Sequence, residues 1–160
     1  MKKTFNQGVT LVEVLIAASI ITAFLTALLG THSFYLKTAF SNRHVIKAAQ
    51  LAEEGIEVVR FERDSSWTLN IETLDLDTEY RISFESGDWV LSETPVFIDN
   101  LFDRTVTLSS VSRDGSNDIV TSGGTLDPDT LLVTSSVSWV SNGATTTREV
   151  YTYITNLFDN

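Results

Sequence analysis

The chain has 160 residues and a formal charge of −10, with 11 Lys and Arg against 21 Asp and Glu, two His and no Cys. That length suits one domain plus an appended segment. The missing cysteines exclude disulfides, a thiolate nucleophile and a lipid-modified N-terminal cysteine, and the acidic balance disfavours direct nucleic-acid binding.

Residues 1–8 form a short leader that carries Lys2 and Lys3 and ends at Gly8. Residues 9–30 follow as a nearly unbroken apolar run of 22 residues. A helix needs about 20 apolar residues to cross a bilayer core, so this one is long enough to span. Lys2 and Lys3 precede the run and no Lys or Arg lies within it, which places the N-terminus in the cytoplasm and the remainder outside. A secretory signal peptide is the competing reading. Its apolar region is about 7–15 residues long and ends in a small-residue cleavage site. Here the run is longer, and Ala17-Ala18-Ser19 lies in its middle, so the segment reads as a retained anchor.

One charge, Glu13, interrupts the run. A charge at the centre of a span costs about 2.5–3.5 kcal/mol on insertion scales, and less near an end. The carboxylate either snorkels to the interface or meets a positive partner. Cleavage after Gly8 would create such a partner, a new α-amino group on Val9, about one helical turn away. In a packed assembly the amine of a neighbouring copy can take the same place.

Gly8 followed by Val9-Thr10-Leu11-Val12-Glu13 resembles the processing site of type IV pilins and type II secretion pseudopilins. The resemblance rests on the Lys-containing leader, the glycine, the glutamate five residues beyond it and the long apolar helix. It covers about the first third of the chain. It implies that prepilin peptidase cuts between Gly8 and Val9 and methylates the new terminus, and that Glu13 serves subunit docking. Phenylalanine is the usual first mature residue in that family; Val9 stands there here. The implied partners are other pilin or pseudopilin subunits, the prepilin peptidase, an inner-membrane assembly platform and, before assembly, membrane lipid. The implied location is the bacterial inner membrane with the head outside the cytoplasm, then a cell-surface filament. Loss of Lys2 and Lys3 with the leader would take the side-chain charge from −10 to −12.

Residues 31–63 contain no proline and continue the helix. Val45, Ala48, Ala49, Ala52, Ile56 and Val59 recur at three- and four-residue steps, and Gln50, Glu53, Glu57 and Arg60 follow the same step on another face. This amphipathic pattern predicts one apolar stripe laid on the rest of the domain. With the span it makes a rod of about 55 residues, roughly 80 Å long. Two glycines interrupt it. Gly30 sits where many major pilins carry proline, and glycine weakens a helix interior by about 1 kcal/mol against alanine, which makes it a candidate for local melting on assembly. Gly55 is expected to allow close packing. The surrounding stretch, residues 51–60, also resembles a segment of PilV-like minor pilins.

From Asp64 onward there are 16 acids and 4 arginines, and the texture changes to alternating Thr, Ser, Val and aromatic residues. Residues 80–84, 105–108, 133–140 and 150–154 alternate with period two and predict half-buried antiparallel strands. Gly87-Asp88 and Asn142-Gly143 predict hairpin turns. Trp139, Trp89, Phe84 and Tyr153 read as core or sheet-face residues. Residues 112–130 form the most polar stretch and read as a solvated loop. Its oxygen-rich residues Asp114, Asn117, Asp118, Asp127 and Asp129 make a weak Ca²⁺ candidate, since carboxylates and carbonyls suit that ion. Related pseudopilins in some secretion systems hold calcium in their heads, but the spacing here is not that of an EF-hand loop.

No cofactor is otherwise indicated. His32 and His44 both fall on the long helix, and there is no glycine-rich phosphate loop or paired-His zinc motif, so no catalytic role is expected. The expected fold class is α+β, with residues 1–8 a cleaved leader, 9–30 the transmembrane and filament-core helix, 31–63 the amphipathic half and 64–160 an antiparallel β head. The expected function is that of a minor pilin or pseudopilin. The alternatives are a major pilin, a type II secretion or DNA-uptake pseudopilin and, from a different class, a single-span anchored extracellular binding domain.

Overall fold

A computed structural model describes residues 10–141 and 143–157. The chain divides into two units, Met1–Arg43 and His44–Asn160. Helix α1 (Leu11–Ser65) begins in the first unit and ends in the second. In the second unit its last turns are followed by a single turn, α2 (Trp67–Asn70), capped by Ser66, whose hydroxyl accepts from Leu69 N–H at 3.3 Å. Seven strands follow: β1 (Tyr80–Glu85), β2 (Asp88–Ser92), β3 (Phe97–Ile98), β4 (Phe102–Arg113), β5 (Ile119–Val120), β6 (Thr125–Ser141) and β7 (Ala144–Thr155). They form one antiparallel sheet in the order β2-β1-β4-β6-β7, with β3 and β5 each paired to β4.

The sequence dictates which sheet face is covered. Along β4 and β6, Phe102, Arg104, Val106 and Leu108, and Leu131, Val133, Ser135, Val137 and Trp139, alternate with more exposed residues and are all buried. Against this face lies the apolar stripe of the helix. Ala48, Leu51 and Ala52 pack with Phe102, Val137 and Trp139. Ile56, Val58 and Val59 pack with Tyr80, Ile82, Val106, Leu108, Leu131, Val133 and Ile154. A helix on one face of an antiparallel sheet makes a two-layer α+β domain, and the expected fold class is borne out.

The two layers approach closely at Gly55. A Cβ built there would run into Ser135 Oγ and lie 3.2 Å from Ser135 Cβ and 3.3 Å from Val106 Cγ1. The expectation of close packing at Gly55 is therefore met: a larger residue requires the Ser135 hydroxyl to move aside and the Ser135 and Val106 side chains to give by a few tenths of an ångström. Gly55→Ala is expected to destabilise the head by about 1–3 kcal/mol, the usual cost of overpacking, even though alanine is the better helix former. Thermal unfolding followed by tryptophan fluorescence reads this directly, because Trp67, Trp89 and Trp139 all lie in the second unit. Ser135→Gly in the same chain removes the atoms that clash and should recover most of the loss.

Two expectations need correction. The first hairpin turns at Ser86 and Gly87, both at positive φ, and Asp88 belongs to β2, opposite Glu85. Two consecutive left-handed residues match the twist of the flanking strands, so the turn falls on the residue pair that leaves Trp89 beside Phe84. Residues 112–130 are not a plain loop. β4 and β6 continue to pair as far as Arg113 opposite Thr125, after a register shift between Ser110 and Val111, and β5 pairs with the end of β4. The shift leaves Pro128 outside the ladder, where its missing N–H costs nothing. Of the second predicted turn, Asn142 lies outside the described residues; Gly143 has φ +78° and joins β6 to β7 beside the Ser141–Ala144 pair.

Candidate functional site

The first turn of α1 is built by Thr10 and Glu13. Glu13 N–H donates to Thr10 Oγ1 at 3.3 Å and Val14 N–H to the Thr10 carbonyl at 3.2 Å. Thr10 thus caps the helix, and Glu13 stands three residues on, the spacing of a capping box. An acid in the first turn also faces the positive end of the helix dipole.

Beyond it the helix surface is apolar and uncovered. Leu11, Val12, Val14, Leu15, Ile16, Ile20, Ile21, Phe24, Leu25, Leu28 and Leu29 are all exposed. The helix is long and apolar enough to cross a membrane. Its hydroxyls suit that environment. Ser19, Thr22, Thr26, Thr31, Ser33 and Thr38 each donate to a backbone carbonyl one turn back, at 2.7–3.1 Å. Each of these hydroxyls is satisfied within the helix, as a hydrocarbon surrounding requires. The Glu13 carboxylate, by contrast, has no hydrogen bond or ion pair among the described residues. The segment therefore presents one unpartnered charge at the start of an uncovered apolar helix.

Gly8 and Val9 lie outside the described residues. Gly30 continues the helix, and a Cβ placed there would meet nothing within 4 Å. No close packing in the single chain accounts for that glycine. Phe34 and Tyr35, stacked edge to face at 6.2 Å, follow it as exposed aromatics, and tyrosine is a residue type that gathers at a bilayer interface.

The oxygen-rich residues of the head serve their own backbone and Arg113. Asp114 Oδ1 accepts from Ser116 N–H at 2.8 Å and Asp118 N–H at 3.0 Å. Asp127 Oδ2 accepts from Arg113 Nε at 2.6 Å, and its Oδ1 from Asp129 N–H at 3.0 Å. The Arg113 guanidinium first, and the Thr130 hydroxyl second, hold the Asp127 carboxyl below the usual carboxylate range. Asn117 is drawn in through its carbonyl, which accepts from Arg113 at 3.0 Å. Among the described residues, no group of three or more His, Cys, Asp or Glu could hold a metal ion.

Sequence reasoning passed over one charged residue of the core. Arg104 is 4% exposed and pairs with Glu54 of α1 at 2.9 Å. Its guanidinium also donates to the Ile82 carbonyl at 3.2 Å and the Leu51 carbonyl at 3.5 Å, while Nε finds no partner. Burial pulls its pKa down and Glu54 opposes the shift. A period-two reading from Phe102 through Val106 to Leu108 puts residue 104 on the covered face, which is the signal that would have found it.

Residues 3–29 match the family described as "Prokaryotic N-terminal methylation motif". The chain thus carries, over residues 3–29, a motif typical of prepilin-like and type IV pilin-family proteins. No curated protein and no solved structure matches the chain.

Proposed function

We propose that this chain is a structural subunit of a type IV pilus-like filament, as a minor pilin or pseudopilin, processed by prepilin peptidase and assembled through its N-terminal helix. The observation that carries the reading is Glu13, a lone unpartnered carboxylate inside an N-terminal methylation motif, at the head of an apolar run whose hydroxyls bond to the helix's own backbone. Residues 1–8 are the leader, 9–30 the membrane and filament-core helix, 31–63 the amphipathic half and 64–160 the head. The peptidase cuts between Gly8 and Val9 and methylates the Val9 amine. The subunit waits in the inner membrane with its head outside the cytoplasm. An assembly platform then moves it into the filament, where Glu13 meets the Val9 amine of a neighbour. Gly30, a weak point in the helix, gives way locally as the helices pack.

The physical logic is that of differential burial. The span exposes its apolar surface to lipid before assembly and to other helices after it, so burial alone selects no register. A buried charge without a counter-charge is costly, so subunits dock where the Glu13 carboxylate and a terminal amine coincide. The test is mechanical shearing of cells followed by detection of the chain in the released filaments. It should appear there when the prepilin peptidase is present and stay with the membranes when the peptidase gene is deleted. Retention in the membrane under both conditions would favour a single-span anchored binding domain.

A further inference from the structure

Charge is segregated along α1. Residues 14–52, a stretch of 39, contain no Asp or Glu, yet hold Lys37, Arg43 and Lys47 together with His32 and His44. Acids return at Glu53, Glu54 and Glu57. Arg43 and Lys47 are exposed and four residues apart, a spacing at which like charges on a helix repel. No acid stands three or four residues from either, and neither makes an ion pair among the described residues. Local helix chemistry leaves these cations without a counter-charge.

The acids that follow match their spacing. Glu53 and Glu57 are also exposed and four residues apart, and each stands ten residues beyond a cation: Arg43 to Glu53, Lys47 to Glu57. Glu54 is engaged by Arg104. Glu57 touches Arg60 at the surface, a weak pair that leaves carboxylate lone pairs free. Ten residues fall about 80° short of three whole helical turns, so the acid pair is offset around the helix from the cation pair. A contact between two different faces is heterologous, and when the copies are also displaced along the axis it propagates as an open array instead of closing into a ring.

We infer that a second copy of this chain, parallel and displaced axially by ten residues or about 15 Å, docks its Glu53 and Glu57 against Arg43 and Lys47. The inference rests on the filament reading and adds to it a second register contact, beside the mid-helix. Glu13 and the Val9 amine lie four residues apart in sequence, so the two contacts specify different neighbours, as a helical array provides. Matched spacing of both pairs is what favours a protein partner over lipid headgroups, which impose no ten-residue step.

The chain has no cysteine, so introduced ones report cleanly. Arg43→Cys and Glu53→Cys are made in separate full-length copies and expressed together in native cells. Oxidation should yield a disulfide-linked dimer only when both variants are present. A photo-crosslinking residue at Ile16 reports any neighbour along the span, whatever its register. Crosslinking at Ile16 with no disulfide-linked dimer of the two cysteine variants would overturn the inference and leave the filament reading standing. Silence in both assays would overturn the filament reading as well. Independently, Lys47→Glu should lower incorporation several-fold, and adding Glu57→Lys should restore it. Failure of that rescue, with anionic lipid binding lost in Lys47→Glu, would assign the cations to headgroups instead.

Discussion

Glu54→Ala is expected to lower the stability of the head by about 2–3 kcal/mol, a core-sized effect from a residue whose side chain is 46% exposed. The reason lies in its partner. Arg104 is buried between helix and sheet, and Glu54 supplies its one counter-charge among the described residues. Removing one member of a fully buried pair costs about 3–5 kcal/mol, because the other charge stays behind uncompensated. Glu54 is half in water, so part of the attraction is already screened and the expected cost falls below that range. Glu57→Ala, one turn away and paired only at the surface, should cost no more than about 0.5 kcal/mol. The measurement is a melting curve of the full chain in detergent by tryptophan fluorescence. Glu54→Ala should fall by about 10 °C and Glu57→Ala by no more than about 2 °C. Arg104→Met in the Glu54→Ala background removes the orphaned charge while keeping volume, and should recover most of the loss. Equal melting points for Glu54→Ala and the parent would mean that Arg104 does not depend on the pair.

Glu13→Ala is expected to leave cleavage largely intact and to cut incorporation into filaments by about tenfold to a hundredfold. Six hydroxyls between Ser19 and Thr38 close onto the helix backbone, so they neither seek nor penalise a neighbour. In the proposed filament, Glu13 is the group whose state changes on docking, and without it the amine of an adjoining copy would enter an apolar core with no counter-charge. A deficit of about 1.5–3 kcal/mol at the end of a span corresponds to that fold-change. Peptidase recognition, by contrast, is expected to depend on Gly8 and the leader. The variant should therefore accumulate as processed protein in the membrane. Wild-type incorporation of Glu13→Ala would remove the docking role.

Much of this architecture could be read from residue order. The three- and four-residue steps from Val45 to Val59 and the alternation around 80–84, 133–140 and 150–154 reflect burial of one face, and the structure follows them except at Phe84, which is 61% exposed; the apolar run is helical as expected and uncovered. What resisted reading depends on distant partners. Nothing local distinguishes Asp88 as a strand residue until Glu85 is placed opposite it. The polar stretch 112–130 looks like loop by composition, yet the Arg113–Asp127 pair and the Asp114 turn hold its ends in the ladder. Arg104 hides for the same reason: its charge argues for the surface and its register for the core, and Glu54, fifty residues away, decides between them. At the N-terminus the balance reverses. Gly8 and Val9 lie outside the described residues, and the meaning of Glu13 comes from its position in a short motif rather than from any contact within one chain.

The central claim is that this chain is a processed filament subunit, and mass spectrometry of its mature N-terminus from native membranes or sheared filaments tests it most directly. The account predicts a chain that begins at Val9 and carries one added methyl group. A chain that still begins at Met1, or one cut beyond the apolar run, would contradict it.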